Sequence, residues 1–286
     1  MKDQAEDRLA PGLYMVATPI GNLEDLSFRA LRTLKQADWI AAEDTRETKK
    51  LLNAYDLVTA TVSLHEHSGP RKVAELVERL KTGGTGAYVS DAGTPGISDP
   101  GAELAAAARA AGISVYPVPG ASAPVALLSI AGFNETAFAF HGFFPRENAA
   151  RKEWLEKASL GGVHVFFESP YRIVETLLFL EKEKPEAELI VGRELTKKFE
   201  TVTAGNAGAV AEILRKEEGR GEYVIGLKLP VPPPESEEDL AEKTSILLRE
   251  LAELGGNQKL LTRVAMSHGL PKNRAYALSL EILKKP

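Results

Sequence analysis

Between residue 13 and about residue 118, short apolar segments alternate with amphipathic ones, and this alternation constrains the fold more than any other feature. The apolar segments, such as Leu13–Thr18 and Gly86–Ser90, have the length and composition of buried strands. The amphipathic segment Lys72–Lys81 places its apolar residues at helical spacing. Strands joined by helical crossovers at short spacing run parallel. We therefore predict an α/β lobe with a parallel sheet over residues 12–118.

Two of these strands run directly into loops rich in glycine, proline and other small residues. The first loop is 17–23 and the second is 90–101. Connections between a strand and a helix usually have about 2–6 residues, so the second loop is longer than connectivity requires. Small residues let a backbone approach a ligand closely, and ligands of open α/β sheets bind beyond the carboxyl ends of the strands. We predict that both loops line one crevice and that Asp99 caps the helix after the second loop.

Neither loop matches a common nucleotide-binding fingerprint. The first loop, Ala17-Thr-Pro-Ile-Gly-Asn-Leu23, lacks the G-x-G-x-x-G spacing of dinucleotide-binding folds. No Gly-Lys-Ser/Thr follows it, which excludes a Walker A loop. By itself this loop also fits a tight turn between a strand and a helix, with Ser27 as the N-cap.

The pattern changes after the hinge that Pro119 and Gly120 predict. Strands and helices stop alternating strictly, and Phe199–Ala204 can pair with a neighbouring strand, so a mixed sheet is expected over residues 119–229. Residues 230–237 form a stiff, proline-rich linker. Residues 238–286 read as a small helical unit. The predicted fold is thus α/β with two lobes, a cleft between them and a C-terminal helical unit.

Residues 257–286, within the helical unit, carry a local excess of positive charge on a chain whose formal net charge is −5. The turn at Gly269 resembles that of a helix-turn-helix, although a helical cap packed on a lobe is the favoured interpretation. The basic side chains indicate an anionic partner or a solvated helix face. Those we expect to contact RNA phosphates, if RNA is the partner, are Lys259, Arg263, Lys272 and Arg274.

Composition excludes several classes of site. The chain has no cysteine, so it has neither disulfides nor thiolate nucleophiles. His65 and His67 lack a nearby third ligand, and no metal is predicted. The first eight residues are too polar for a signal peptide, and no apolar run approaches a membrane span. These features predict a cytoplasmic protein without membrane contact.

Six motifs occur in a fixed order along the chain. They are Thr18–Ala30, Glu43–Arg46, Ser90–Pro95, Pro119–Ser122, Phe167–Arg172 and Arg193–Lys197. Together they resemble the tetrapyrrole methylase family, in its branch that methylates ribosomal RNA, and the resemblance covers residues 12–229. Members that modify tetrapyrroles carry a Gly-x-Gly-Pro-Gly-Asp pattern at the first loop. This chain departs from it, which favours the RNA-directed branch.

The resemblance implies the cofactor, the substrate and the assembly. S-adenosylmethionine is expected in the cleft of a homodimer, and the implied reaction is 2′-O-methylation of a cytidine ribose in 16S ribosomal RNA, within the 30S subunit. By position in the motifs, the residues expected to bind the cofactor are Thr18, Pro19, Ile20, Asp91, Ala92, Gly93, Thr94, Ser98 and Ala121. We also expect Asp91 to accept hydrogen bonds from a ribose or an amino group.

The motifs of the second lobe suggest the acceptor side of the reaction. Lys197 is the first candidate for a general base, provided that Arg193 and partial burial lower its pKa, and Glu168 is the second. Arg46 and Arg172 are expected at the RNA. The alternative for these charged residues is that Arg–Glu pairs brace the lobes. Aromatic side chains that could stack on a base are Phe143, Tyr171 and, less favoured than a core position, Phe144.

Two other functions fit part of these features. A small-molecule methylase acting on a tetrapyrrole would share the fold, but it would leave the basic helical unit unexplained. A non-catalytic ribosome-assembly module would need neither a donor pocket nor the charged residues near Glu168 and Lys197.

Overall fold

The computed structural model describes residues 8–158, 161–216, 220–231 and 236–284. The chain forms two compact units that divide between Val231 and Pro232. The first unit contains two sheets, and the second is helical. Among the described residues, no helix combines the length and the hydrophobicity needed to cross a membrane.

The first sheet is entirely parallel, as predicted. Its strands have the order β3-β2-β4-β1-β5. They are β1 (Gly12–Val16), β2 (Trp39–Ala42), β3 (Thr61–Ser63), β4 (Thr85–Val89) and β5 (Val115–Val118). The helices that connect them are α1 (Phe28–Gln36), α2 (Thr45–Ala54), α3 (Gly69–Lys81) and α4 (Gly101–Ala110).

Helices cover both faces of this sheet, which explains why its strands are apolar on both sides. One face packs on α3 and α4 through a cluster that includes Leu76 and Leu104. The other face packs on α1 and α2 through a cluster that includes Leu34 and Leu52. Ser27 caps α1, because its hydroxyl accepts a hydrogen bond from the amide of Ala30 at 3.0 Å. The polar loops are thereby left at the carboxyl edge of the sheet.

The second sheet is mixed, as predicted, with the order β6-β7-β10-β8-β9. Its strands are β6 (Phe138–Phe143), β7 (Gly162–Glu168), β8 (Glu188–Arg193), β9 (Thr201–Gly205) and β10 (Tyr223–Leu229). Its helices are α5 (Ala123–Ile130), α6 (Asn148–Ala158), α7 (Ile173–Glu183) and α8 (Ala207–Leu214). Only β6 and β7 pair in parallel, and β9 pairs with β8 in the region where local pairing was expected.

The C-terminal unit is a bundle of three helices, α9 (Glu237–Glu253), α10 (Gln258–Ser267) and α11 (Lys272–Lys284). They pack around their own apolar core, which includes Leu248, Leu261 and Leu278. Helix α9 begins within the predicted linker 230–237, because Ser236 and Asp239 form a capping box. Residues 232–235 of that linker lie outside the described part of the chain.

Candidate active site

A cavity of about 510 Å³ lies between the two sheets of the first unit. Its volume falls in the range of small-molecule sites, roughly 300–1,000 Å³. Residues from both lobes line it. They are Ile20, Glu43, Ser90–Thr94 and Ile97–Asp99 from the first lobe, and Ser122–Pro124, Phe143, Phe167–Pro170, Leu195 and Glu222–Val224 from the second. The crevice predicted from the two loops is therefore present.

Main-chain hydrogen bonds hold the two predicted loops together. The amide of Thr18 donates to the carbonyl of Gly93 at 2.9 Å, and the amide of Gly93 donates to the carbonyl of Thr18 at 3.1 Å. Gly93 has φ +80°, and a Cβ there would lie 3.3 Å from Cγ2 of Ile20. Glycine therefore meets both a conformational and a spatial requirement at this point. The result is a cavity wall made largely of backbone.

Most residues expected to bind the cofactor line this cavity. Ile20, Asp91, Ala92, Gly93, Thr94 and Ser98 do so. Among the described residues that line the cavity, the other three expected residues, Thr18, Pro19 and Ala121, are not found. The hydroxyl of Thr18 points to the carbonyl of Ser90 at 3.4 Å, and the carbonyl of Ala121 accepts from the Thr94 hydroxyl at 3.0 Å. The hydrogen bonds of Thr18 and Ala121 therefore hold the two loops in position.

Three carboxylates stand together on the first-lobe side of the cavity: Glu43, Asp91 and Asp99. The Asp91 amide donates to Glu43 Oε2 at 3.4 Å, and the Asp44 amide donates to Asp91 Oδ1 at 2.9 Å. These bonds join the carboxyl ends of β2 and β4. One oxygen of Asp91 is thus already engaged by the protein, which the sequence-based expectation for this residue did not include.

Glu43 has a shifted pKa. Burial raises its pKa, and the negative charges of Asp91, Asp99 and Glu66 add to this rise. The carboxylate of Asp99 accepts hydrogen bonds from the amides of Gly96 and Gly101 at 2.8 Å. Gly101 is the first residue of α4, so Asp99 binds the first amide of this helix, but the N-cap position itself is occupied by Pro100 and not by Asp99 as predicted. Glu43 belongs to one of the six motifs but was not among the predicted catalytic residues.

On the second-lobe side, the charged residues are paired with one another. Glu168 is fully buried, and its Oε1 lies 2.5 Å from Nη2 of Arg172 and accepts from the Ser169 amide at 2.6 Å. Its Oε2 accepts from the hydroxyl of Thr176 at 2.6 Å. Both oxygens are therefore engaged. This arrangement matches the bracing alternative and leaves Glu168 poorly suited to accept a proton.

Lys197 does not meet the condition set for a general base. Its Nζ lies 2.9 Å from Glu194 Oε1 and 3.1 Å from Glu222 Oε2. Burial favours the neutral amine, but hydrogen bonds and charge from Glu194 and Glu222 outweigh it, and the pKa of Lys197 is raised. The lowered pKa that this role requires is therefore not found, because the opposing effect of Glu194 prevails. Arg193 donates instead to the carbonyl of Arg220 at 2.9 Å and lies over the ring of Tyr223.

The loop that carries Lys197 is strained and packs against the first lobe. Glu194 and Thr196 have φ values of 51° and 66°, which non-glycine residues rarely adopt. A Cβ at Gly21 would lie 2.3 Å from Cγ of Lys197, so only glycine allows this approach. Residues 194–197 therefore close one end of the cleft.

The predicted RNA contacts are spread over both units. Arg46 is 86% exposed, and its Nη2 lies 2.6 Å from Oδ2 of Asp44, whose pKa it holds at about 2. Arg172 is mostly buried beside Glu168 and also donates to the carbonyl of Phe144 at 3.2 Å. The residues of the C-terminal unit that were predicted to contact RNA, Lys259, Arg263, Lys272 and Arg274, are exposed, and no carboxylate pairs with them in the described part of the chain.

The three aromatic candidates have different environments. Phe144 is buried in the core of the second lobe, as favoured. Phe143 is 62% exposed and lines the cavity, and Tyr171 is 91% exposed. Phe167, which also lines the cavity, was seen in the sequence only as part of a motif. Among the described residues, no group of three His, Asp or Glu side chains is arranged to hold a metal ion.

A family model of the tetrapyrrole (corrin/porphyrin) methylases matches residues 12–211, which include both loops and most of the cavity wall. The chain belongs to this family. Ribosomal RNA small subunit methyltransferase I of Halalkalibacterium halodurans is 42% identical to it, with 92% of this chain and 93% of the relative covered. The enzyme of the same name from Vibrio cholerae serotype O1 is 40% identical, with 96% of each chain covered.

Solved structures confirm the fold of this tetrapyrrole methylase. A diphthine synthase matches it with a TM-score of 0.61 at 16% identity, over 76% of this chain and 89% of that chain. Uroporphyrin-III C-methyltransferase from Thermus thermophilus, complexed with S-adenyl homocysteine, matches with a TM-score of 0.55 at 18% identity, over 76% and 97% of the two chains. The protein is a methyltransferase, and S-adenosylmethionine is its cofactor.

The cavity fits this cofactor. S-adenosylmethionine carries a positive sulfonium and an ammonium group, and three carboxylates stand on one side of the cavity. The backbone wall around Gly93 leaves room for a flat ring and a ribose to lie against it. The sequence could not reveal that Glu222 and Val224 also line this space, because no motif marks those positions.

Proposed function

We propose that this protein transfers a methyl group from S-adenosylmethionine to the ribose 2′-oxygen of a cytidine in 16S ribosomal RNA. The observation that carries the proposal is the likeness, over more than nine-tenths of the chain, to enzymes named ribosomal RNA small subunit methyltransferase I. The family model ends at residue 211, but the alignments with these relatives extend into the C-terminal unit. The relatives named as ribosomal RNA methyltransferases thus share at least part of the C-terminal helical unit.

The first-lobe wall supports the role of donor site in this proposal. When bound, S-adenosylmethionine supplies a methyl group already activated by its sulfonium. Main-chain groups of residues 91–94 would hold the cofactor, with Ile20 and Ser98 beside them. The hydrogen bonds of Thr18 and Ala121 keep the loops in register. Fixed alignment of reacting groups contributes up to roughly 7–11 kcal/mol in favourable cases, so a rigid loop wall has a catalytic purpose.

Glu43 is the proposed proton acceptor in place of Lys197 and Glu168. A base must be unprotonated and free to reach the substrate, and a pKa nearer the working pH makes it stronger. Glu43 lines the cavity with a raised pKa, whereas both oxygens of Glu168 are engaged and Lys197 is held as a cation. We assign Lys197 and Arg193 the role of holding the cleft loop in place.

The C-terminal unit is the proposed RNA-binding element. Lys259 and Arg263 lie four residues apart on α10 and so share a face. Lys272 and Arg274 lie in the first turn of α11, where the helix dipole disfavours cations. Their position therefore brings no benefit to the helix, but phosphate groups bind well at such helix starts. Arg46 and Arg172 would contact the RNA nearer the cavity.

The assembled 30S subunit is the proposed substrate, in the cytoplasm, and a homodimer is the proposed active form. The test is incubation of the protein with methyl-labelled S-adenosylmethionine and 30S particles, followed by nuclease mapping. Label at one cytidine, with resistance of the adjacent linkage to alkali, is expected because a methylated 2′-oxygen cannot attack the phosphate. Label on a base, or transfer only to a tetrapyrrole, would reject the proposal. Light scattering measures the assembly state.

A non-catalytic assembly module is not favoured, because a donor cavity with a raised-pKa carboxylate has no use there. The same incubation distinguishes the two ideas. A protein that binds 30S particles without transferring label would support the module.

A further inference from the structure

The sheet of the second lobe contains an irregularity at the edge of the cavity. Strand β6 pairs with β7 in the register Phe140 to Val165, and then Phe143 to Phe167. Three steps along β6 thus match two steps along β7, which is a β-bulge. Gly142, within the bulge, has φ +66°, a conformation that glycine adopts readily. The bulge changes which face of the sheet each following side chain occupies.

This change brings Phe143 to the cavity. In a regular strand, Phe143 would share a face with His141 and lie opposite to Phe140. Because of the bulge, the rings of Phe140 and Phe143 both contact the ring of Phe167, with centroid distances of 5.0 and 5.6 Å. Phe144 in turn enters the buried core on the other face.

Phe143 is unusual among the cavity residues because its ring remains largely open to solvent. It is 62% exposed although it lines the cavity, and it rests edge-on against Phe167. A large exposed ring has no value for stability here, since leaving it in water forgoes the gain of burial. A flat ligand placed on its free face would bury it. Base–aromatic stacking is the standard way in which proteins hold unpaired nucleobases.

We propose that Phe143, braced by Phe167, is the stacking platform for the nucleobase of the nucleotide that receives the methyl group. This inference rests on the proposed function and adds the subsite that holds the acceptor base outside its helix. A target ribose inside folded RNA reaches an enzyme pocket only when its nucleotide is turned out of the helix. Stacking of the base on a protein ring then offsets part of the stacking that the nucleotide loses in the RNA. Any nucleobase can stack on this ring, so the platform holds the target nucleotide in position without selecting its base.

The charges on the two walls favour the acceptor nucleotide over the cofactor's adenine at Phe143. Glu43, Asp91 and Asp99 on the first-lobe side repel phosphodiesters and attract the cationic cofactor. The second-lobe side presents Phe143 and Phe167, together with two carboxylates that are each paired with a cation, Glu168 with Arg172 and Glu222 with Lys197. A phosphodiester chain therefore approaches along the second lobe, where the open face of Phe143 lies.

The test compares Phe143→Ala with two matched variants. Phe143→Tyr keeps the platform, and Phe138→Ala removes another exposed ring of β6 that does not line the cavity. We expect Phe143→Ala to lower kcat/KM for 30S particles roughly ten- to hundredfold, from the usual value of one base stack. Cofactor affinity in calorimetry should stay unchanged, and Phe138→Ala should remain within about twofold of the parent. Phe143→Tyr should restore most of the activity that Phe143→Ala loses, because it keeps an aromatic ring at this position.

Two results would overturn the platform. Equal activity of Phe143→Ala and Phe138→Ala would show that the ring is not used. A loss of cofactor affinity that matches the loss of kcat/KM would assign the ring to the cofactor's adenine instead. Failure of the proposed function is a separate outcome, because the parent protein itself would then place no label in 16S RNA.

Discussion

The two walls of the cavity use charged residues in opposite ways. In the first lobe, Glu43 is half-buried near other carboxylates, and its pKa is raised. In the second lobe, Glu168 and Lys197 are each held by oppositely charged partners. Unpaired charge leaves a group available to a ligand, whereas paired and hydrogen-bonded charge fixes local structure. A cluster of charged residues at a cleft is therefore no sufficient sign of catalysis.

The largest expected effect separates Glu43 from Lys197. Glu43→Gln should lower the single-turnover rate at saturating cofactor by about 10²–10⁴-fold, the usual contribution of a general base. Lys197→Met should lower it less than about tenfold, because that residue only holds its loop. Glu78→Gln is the matched control, since Glu78 is exposed, does not line the cavity and is not among the charges that shift the pKa of Glu43. Rapid-quench measurements with 30S particles give these rates.

The dependence of the methyl-transfer rate on pH tests the same difference between Glu43 and Lys197. Because Glu43 must be ionised to accept a proton, the rate should rise with pH through its raised pKa and then level off. This limb should disappear in Glu43→Gln and persist in Lys197→Met. If Lys197→Met removed the limb instead, the roles of the two walls would be reversed.

A glycine substitution tests whether the first-lobe wall binds the cofactor through its backbone. Gly93→Val should weaken S-adenosylmethionine binding about ten- to hundredfold, since added atoms crowd Ile20 and the cavity at a cost of roughly 1–3 kcal/mol. Gly96→Ala is the control for backbone strain, because Gly96 has a similar φ of +83° and no atom closer than 3.7 Å to an added Cβ. Calorimetry that finds equal affinities for both variants would place the cofactor elsewhere.

The bracing role of Glu168 predicts an effect on stability instead of chemistry. Glu168→Gln leaves Arg172 without its charged partner next to the core, so the free energy of unfolding should fall by about 3 kcal/mol. Glu153→Gln, which breaks the exposed pair with Lys157, should cost less than about 1 kcal/mol. Urea denaturation measures both. A Glu168→Gln protein of parental stability but without activity would make Glu168 catalytic.

The smallest expected effects concern the helical unit. Replacing Lys259, Arg263, Lys272 and Arg274 by glutamate should weaken 30S binding and flatten its salt dependence by about 0.7–0.9 per lost phosphate contact. Cofactor affinity should not change. Arg249→Glu, at an exposed cation on α9, is the control. If 30S binding had the same salt dependence in the fourfold variant and the parent, these side chains would not contact phosphates and would form only a solvated helix face.

The sequence by itself determined the architecture and the family. Strand and helix periodicity gave the parallel first sheet and the mixed second sheet, because hydrophobic patterning is local. The six ordered motifs predicted the family that the comparisons confirm. The small residues of the loop at 90–101 predicted the cavity wall, since backbone freedom is also a property of single residues.

Tertiary structure alone decided how the pKa values of Lys197 and Glu43 shift and on which face of the sheet each aromatic ring lies. The pKa of Lys197 depends on Glu222, and that of Glu43 depends on Asp91 and Asp99, all of them distant in sequence. Phe143 and Phe144 look equivalent in the sequence, but a β-bulge against β7 sends one to the cavity and the other to the core. Titration and packing are set by neighbours in space, which local patterns do not record.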